Sequence, residues 1–305
     1  MIARAIITLL ILEFLGYMAL GLWLLLLKGL GFLSVAAIVL AVFVSARIGI
    51  SLPAYIVASL LRLKSHSPIN FGDTLAAMGK EIWTRSLAFT FVQPFEKWVM
   101  APDPHPQAGA GPPVLLLHGY VCNRGIWRAM RRLLGERVTN PLFTTNLEPP
   151  FARIDDYVPL LAARVDEICA AAGADKILII AHSMGGLAAR AYLARGAGAE
   201  RVACLVTIAS PHHGTTMARL GFGRNAKQMY CGNIWLATLE EDEKRCRSAK
   251  PVTCIYSEND DLVFPASSCR LPHANNIALR GVGHVSLLHS AHVADLIALE
   301  IIAAN

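Results

Sequence analysis

The chain opens on about sixty residues of almost unbroken apolarity and then changes pattern. From Ala5 to Leu27 the only charged side chain is Glu13; Lys28-Gly29-Leu30-Gly31 interrupts the run; from Phe32 to Leu61 the only charge is Arg47. A helix needs roughly 20 apolar residues to cross a bilayer core. The run therefore predicts two transmembrane helices, near 5–27 and 31–51, joined by a very short turn, with continuation past Pro53 as an interfacial segment. A cleaved signal peptide would carry an apolar core of roughly 7–15 residues; the first run is longer, which favours a retained anchor.

Beyond the hairpin, residues 65–100 interleave Trp83, Phe89, Phe91, Phe95 and Trp98 with Lys80, Arg85 and Lys97. Two readings stand side by side: an amphipathic stretch on the membrane surface, or a segment packed on the rest of the protein. The Pro/Gly-rich 101–113 reads as a linker. The expected organisation is thus a hairpin over 1–64, a juxtamembrane segment and linker over 65–112, and a globular domain over 113–305.

In that domain, apolar runs at 114–119, 142–147, 176–182, 202–210, 252–257 and 276–281 alternate with helical patterns near 124–137, 155–172, 184–196 and 286–303. Near-continuous apolar strands are those covered on both faces, and the alternation predicts an α/β fold with a parallel, doubly wound sheet. Ligands in such sheets bind beyond the carboxyl ends of the strands.

The polar residues at those ends carry candidate chemistry. Ser183 follows the run 176–182 and precedes a helical pattern, the strand–Ser–helix context of a nucleophile elbow. The turn requires small residues two before and two after the serine, here Ala181 and Gly185. A helix-capping serine is the competing reading. The partners shift the weight: Asp260 and Asp261 follow the strand 252–257, and His284 follows the last strand, in the order Ser…Asp…His. Asp260 opens the run Asp-Asp-Leu-Val-Phe-Pro and is the expected acid, with Asp261 capping the following turn. The backbone N–H groups of Met184 and Tyr120 are the expected oxyanion donors. His118, His182, His212 and His213 are read as residues that hydrogen-bond loops and shape the pocket, His289 and His292 as residues of the terminal helix. Residues 213–245, with Met217, Leu220, Phe222, Met229, Tyr230, Ile234, Trp235 and Leu236, are read as a lid or acyl pocket, or else as a packed surface excursion.

Composition narrows the classes. The chain has 305 residues, 54% of them hydrophobic, and a net charge of +6; mean hydropathy is +0.46 and the pI about 9.0. No Lys/Arg-rich stripe marks a nucleic-acid footprint, and the basic balance suits an anionic membrane face. Arg4 flanks the first span and Arg47, Arg62 and Lys64 follow the second, with Lys28 in the turn between; the balance favours a globular domain on the cytoplasmic side of a bacterial-type inner membrane. The seven cysteines form no C-x-x-C pair and no zinc pattern; a bridge between Cys231 and Cys246 is the one pairing considered.

The pieces "LLLHGY", "AHSMGG", "TIASPHHGT", "DDLVFP" and "GVGHVSLL" over 113–305 together resemble the α/β-hydrolase fold and, within it, bacterial lipases and esterases, one group of which carries A-x-S-x-G at the elbow. The resemblance implies Ser183 as nucleophile, His284 as base, Asp260 as acid, Tyr120 and Met184 as oxyanion residues, and no metal or organic cofactor. The expected activity is a membrane-anchored serine hydrolase of carboxylic esters, with an apolar acyl ester or lipid as substrate. A thioesterase or acyltransferase would use the same triad; a non-catalytic scaffold on this fold, or an adaptor serving mainly through its hairpin, would be a different class.

Overall fold

The structure, a computed structural model, describes residues 1–64, 70–105, 111–196, 198–246 and 250–304. Two long helices come first, α1 (Ile2–Leu26) and α2 (Phe32–Lys64). Then follow α3 (Phe71–Leu87), continued by a π-helical turn over Ala88–Val92, and the short α4 (Glu96–Val99). The globular domain runs β1 (Val114–Leu117), α5 (Arg128–Gly135), β2 (Leu142–Thr145), α6 (Tyr157–Ala172), β3 (Ile177–His182), α7 (Met184–Arg195) and α8 (Gly198–Arg201). It continues with β4 (Val202–Ile208), α9 (Gly223–Gln228), α10 (Ile234–Cys246), β5 (Val252–Ser257), β6 (Asn275–Leu279) and α11 (Ala291–Ala303).

The six strands form one sheet in the order β2-β1-β3-β4-β5-β6, and every pairing is parallel. Successive side chains of a strand point to opposite faces, so the apolar runs feed two cores. Leu115, Leu117, Ile177 and Ile179 join Leu161, Val165 and Leu187 on one face. Val114, Leu116, Leu178 and Ile180 join Met130, Leu134, Ile297 and Ile301 on the other. The chain turns one way from β1 to β2 and the other way from β3 onward. That reversal opens a crevice at the carboxyl ends of β1 and β3, where open α/β sheets bind ligands.

Two ends differ from the sequence pattern. The terminal helical pattern, expected from 286, splits into a 3-10 turn over Ser286–His289 and α11, which Ser290 caps by accepting the N–H of Val293. His289 thus lies in the turn, and only His292 is on the helix. Likewise Arg124–Trp127 is a 3-10 turn ahead of α5. Of the stretch 101–113, residues 106–110 lie outside the described residues. Cys231 and Cys246 are both free thiols rather than a bridge.

Helices α1 and α2 are each long and apolar enough to cross a membrane, and the rest of the chain leaves them largely uncovered. The expected continuation past Pro53 is helical: α2 runs through that residue to Lys64 without interruption. The two helices are tied by a half-buried polar contact: Arg47 donates to Glu13 at 2.6 Å, and the Tyr17 hydroxyl donates to the same carboxylate at 2.5 Å. Of α3, one face packs on the domain through Lys80, Glu81 and Arg85, while Trp83 on the other is 70% exposed.

Candidate active site

Ser183 sits between β3 and α7 with φ +55 and ψ −126, a conformation that costs a non-glycine residue of order 1–3 kcal/mol and persists only where the surroundings enforce it. Its side chain makes no capping bond to α7, so it does not act as a helix cap. The crowding that enforces the turn is measurable at its neighbours. A Cβ on Gly185 would lie 2.7 Å from the carbonyl oxygens of both Leu117 and His118, and one on Gly119 would lie 2.8 Å from the Ser183 Cβ. Ala181, two residues before the serine, is fully buried in β3 between Leu117 and Thr207 of the flanking strands, where a methyl group fits.

His284 and Asp260 meet as the strand order predicted. The distance from His284 Nδ1 to Asp260 Oδ2 is 2.8 Å, and both groups are buried. The other carboxylate oxygen, Oδ1, accepts the N–H of Leu262 at 2.7 Å and of Val263 at 2.8 Å. Burial pushes the Asp260 carboxyl upward, but the charge and hydrogen bond of His284 and the two N–H donors outweigh it and hold it below the usual carboxylate range. The same pair raises His284: burial disfavours its proton, and the charge of Asp260 and its hydrogen bond more than restore it. Ser183 and His284 line one cavity, together with Gly119 and Tyr120.

Asp261 does not cap the following turn. Asp260 does that itself, through Oδ1. Asp261 points into the interior instead, where Arg85 of α3 donates to it at 2.7 Å. Burial pushes its carboxyl up to about 6, with Arg85 opposing and the charges of Glu81 and Asp260 adding.

The expected oxyanion residues follow the carboxyl ends of the neighbouring strands β1 and β3. Met184 is the first residue of α7, so its N–H is among those with no partner inside the helix, and the helix dipole reinforces it. Tyr120 follows Gly119 after β1, and the next residue, Val121, has φ +53, a genuine outlier for a β-branched residue. The Tyr120 hydroxyl donates to the carbonyl of Phe222 and accepts its N–H, both at 2.7 Å. This clamps the loop after β1 to the segment over 213–245. Of that segment, Met217, Ala218, Leu220, Gly221, Ala226 and Met229 line the cavity, whereas Trp235, Leu236 and Leu239 belong to the core.

Among the other histidines, His118 and His182 support the site. Burial holds His118 neutral, down to about 4, and it bridges the carbonyl of Gly119 and the N–H of Leu147, each at 2.9 Å. Burial and the charge of His284 hold His182 down to about 3; its Nε2 lies 3.2 Å from the carbonyl of His284. His212 and His213 do not border the cavity: they bond Thr207 and the carbonyl of Arg270.

The sequence pattern gave no specific sign of the residues that hold the His284 loop from outside the domain. Glu81 of α3, fully buried, accepts the N–H of Val285 at 2.9 Å and of Ser286 at 2.8 Å, the two residues after His284. Arg85 bridges Glu81 at 2.8 Å and Asp261. Arg62 of α2 donates to the backbone carbonyl of Asp260. A Cβ on Gly283 would collide with the Tyr55 hydroxyl and the Glu81 carboxylate, which is why a glycine precedes the histidine. The one sequence signal for this was the i,i+4 spacing of Glu81 and Arg85, which equally marks a solvated helix face.

Glu81→Ala removes the acceptor of two buried N–H groups, each worth about 1–3 kcal/mol when orphaned. The protein should lose stability accordingly. Ester turnover should fall on the order of tenfold to a hundredfold in kcat with KM little changed, because a displaced base costs rate and not affinity. Glu81→Gln, which keeps one acceptor, should recover most of the loss. A folded Glu81→Ala protein with wild-type kcat would rule out this positioning role.

Comparison with known proteins agrees with this architecture. The family model of the alpha/beta hydrolase fold matches residues 112–229. A lipase of Bacillus licheniformis in its mature form superposes with a TM-score of 0.56 at 18% identity, over 66% of this chain and 96% of the lipase. Lipase B of Aspergillus fumigatus gives a TM-score of 0.54 at 19% identity, over 64% of this chain; the match spans 54% of that longer protein. The domain has the α/β-hydrolase fold: a parallel six-stranded sheet with helices on both faces, preceded here by two candidate spans.

Proposed function

We propose that this protein is a membrane-anchored serine hydrolase of carboxylic esters. The observation that carries the reading is that His284, paired with the buried Asp260, lines the same cavity as a serine held at positive φ. In this scheme Ser183 Oγ attacks the ester carbonyl while His284 Nε2 takes its proton. The negative charge that develops on the carbonyl oxygen is met by the N–H groups of Met184 and Tyr120; losing one such donor typically costs about 3–4 kcal/mol. The tetrahedral intermediate collapses, His284 returns the proton to the leaving alcohol, and an acyl-Ser183 remains. Water, deprotonated by the same imidazole, then releases the acid and restores the serine. Asp260 fixes the tautomer of His284 and stabilises its charged form throughout.

A panel of substrates on the purified full-length protein tests this. An ester should turn over faster than the matching thioester, and an added alcohol should not divert the acyl group. Faster thioester cleavage would make the protein a thioesterase, and efficient transfer to the alcohol an acyltransferase.

In the proposed membrane arrangement α1 and α2 form a hairpin with the catalytic domain on the cytoplasmic side. Of the charges behind that orientation, Arg47 is paired with Glu13, while Arg62 keeps its charge beside the neutral carbonyl of Asp260; the asymmetry therefore sets Arg4, Arg62 and Lys64 on the domain side against Lys28 in the turn. A reporter active only outside the cytoplasm should be silent when fused after Asn305 and active when placed in the Gly29–Gly31 turn. The reverse pattern would invert the topology.

A further inference from the structure

One wall of the cavity at Ser183 is not made by the catalytic domain. Ile50, Pro53, Ala54 and Val57 of α2 close that side of a space of about 460 Å3, within the range of small-molecule sites. Their spacing, i, i+3, i+4 and i+7, is a single stripe of a helix. The stripe is uncharged, and its upper rim is open: Ile50 is 62% exposed and, across the opening, Leu220 is 70% exposed. Beside Leu220 stand Phe222, 78% exposed, and Phe151, whose ring contacts Tyr120. The α-amine of Met1 pairs with Glu148, so this apolar rim surrounds the base of the hairpin.

The position of the stripe along α2 identifies what it faces. At 1.5 Å per residue, Ile50 lies about 27 Å and Val57 about 38 Å from Phe32 at the hairpin tip. A hydrocarbon core is about 30 Å thick. With α1 and α2 spanning the membrane, the stripe falls at the boundary between acyl chains and headgroups, the level at which glycerolipids carry their ester groups. An apolar opening at that depth meets lipid rather than water.

We propose that the cavity draws its substrate from the bilayer: an acyl chain of a membrane glycerolipid enters between the α2 stripe and Leu220, which brings its ester to Ser183. This rests on the ester-hydrolase reading. The test uses the full chain in phosphatidylcholine nanodiscs doped with either dioleoyl-phosphatidylglycerol or dioleoylglycerol, with 4-nitrophenyl butyrate as the water-borne comparison. Wild type should release oleate from at least one doped lipid, and the arm that responds distinguishes a phospholipid from a neutral glyceride. Ala54→Leu and Val57→Trp, which fill the opening, should each lower the ratio of glycerolipid to butyrate turnover at least tenfold. Ile56→Trp, an exposed residue of α2 that does not line the cavity, should leave that ratio within twofold. Fluorophosphonate labelling of Ser183 in every variant verifies the folded site. An unchanged ratio in both filled variants overturns the route, as does a wild type that cleaves butyrate but releases no oleate from any nanodisc. A wild type that takes no probe and cleaves neither substrate overturns the ester-hydrolase reading and the route with it.

Discussion

Ser183→Ala is expected to abolish labelling by a fluorophosphonate and to lower ester turnover on the order of a millionfold, the loss seen when the nucleophile of such a triad is removed. The size of the effect follows from what the hydroxyl does. The positions that press on the elbow, Gly119 and Gly185, have no side chain to take its place. The mutant should fold normally, because the Ser183 side chain caps nothing and alanine meets the positive φ with the same Cβ. A thermal melt within about 1 kcal/mol of wild type would show that the loss is chemical, as surface-neutral substitutions are. Labelling that persists at another serine would remove Ser183 from the mechanism.

Asp260→Asn is expected to lower turnover by roughly ten-thousandfold. The amide oxygen can keep the N–H groups of Leu262 and Val263, which Asp260 Oδ1 now accepts. That leaves the amide NH2 facing His284 Nδ1 and imposes the wrong tautomer. The pH dependence gives an independent check. His284 serves as a base only when neutral, and in wild type its proton is held above the ordinary histidine range. Activity should therefore rise with pH through a limb centred above about 6.5, the unperturbed histidine value. In Asp260→Asn the carboxylate charge is gone and the residual activity should show that limb displaced to lower pH. Asp261→Asn provides the contrast. Its carboxyl is pushed up to about 6 by burial, so the buried charge is only weakly favoured at neutrality, and Arg85 keeps Glu81 as a partner. That variant should retain most of its activity and change stability by about 1 kcal/mol or less, the scale of a single net hydrogen bond. If the Asp261 variant is instead inactive while folded, the acid is one residue later than assigned.

The neighbouring aspartates show where sequence stops being legible. The strands were readable because a parallel strand covered on both faces leaves an apolar run, and all six lie within two residues of those runs. Ser183, Asp260 and His284 stood out as candidates because the fold places ligand sites beyond strand ends, and the structure brings Ser183 and His284 to one cavity and Asp260 to His284. What distinguishes Asp260 from Asp261 is which carboxylate faces a histidine 24 positions on and which faces an arginine 176 positions back. Contacts of that range leave no periodic trace. The same holds for Glu81, whose partners are backbone N–H groups with no sequence signature.

The Pro/Gly-rich stretch over 101–113 invites a cut between anchor and enzyme, and the contacts across it argue that no such seam exists in space. Arg62, Tyr55 and Glu81 lie on the N-terminal side of that stretch, yet they close the loops that carry Asp260 and His284. A fragment beginning at 113 would leave the N–H groups of Val285 and Ser286 without their acceptor and open the cavity where Ile50 and Val57 now stand. The hairpin and the domain are therefore not interchangeable modules. Swapping α1 and α2 for other helices, or releasing the domain for convenience of expression, would remove part of the candidate site itself, and a chimera would have to carry α2 and α3 along with residues 113–305 to keep that site whole.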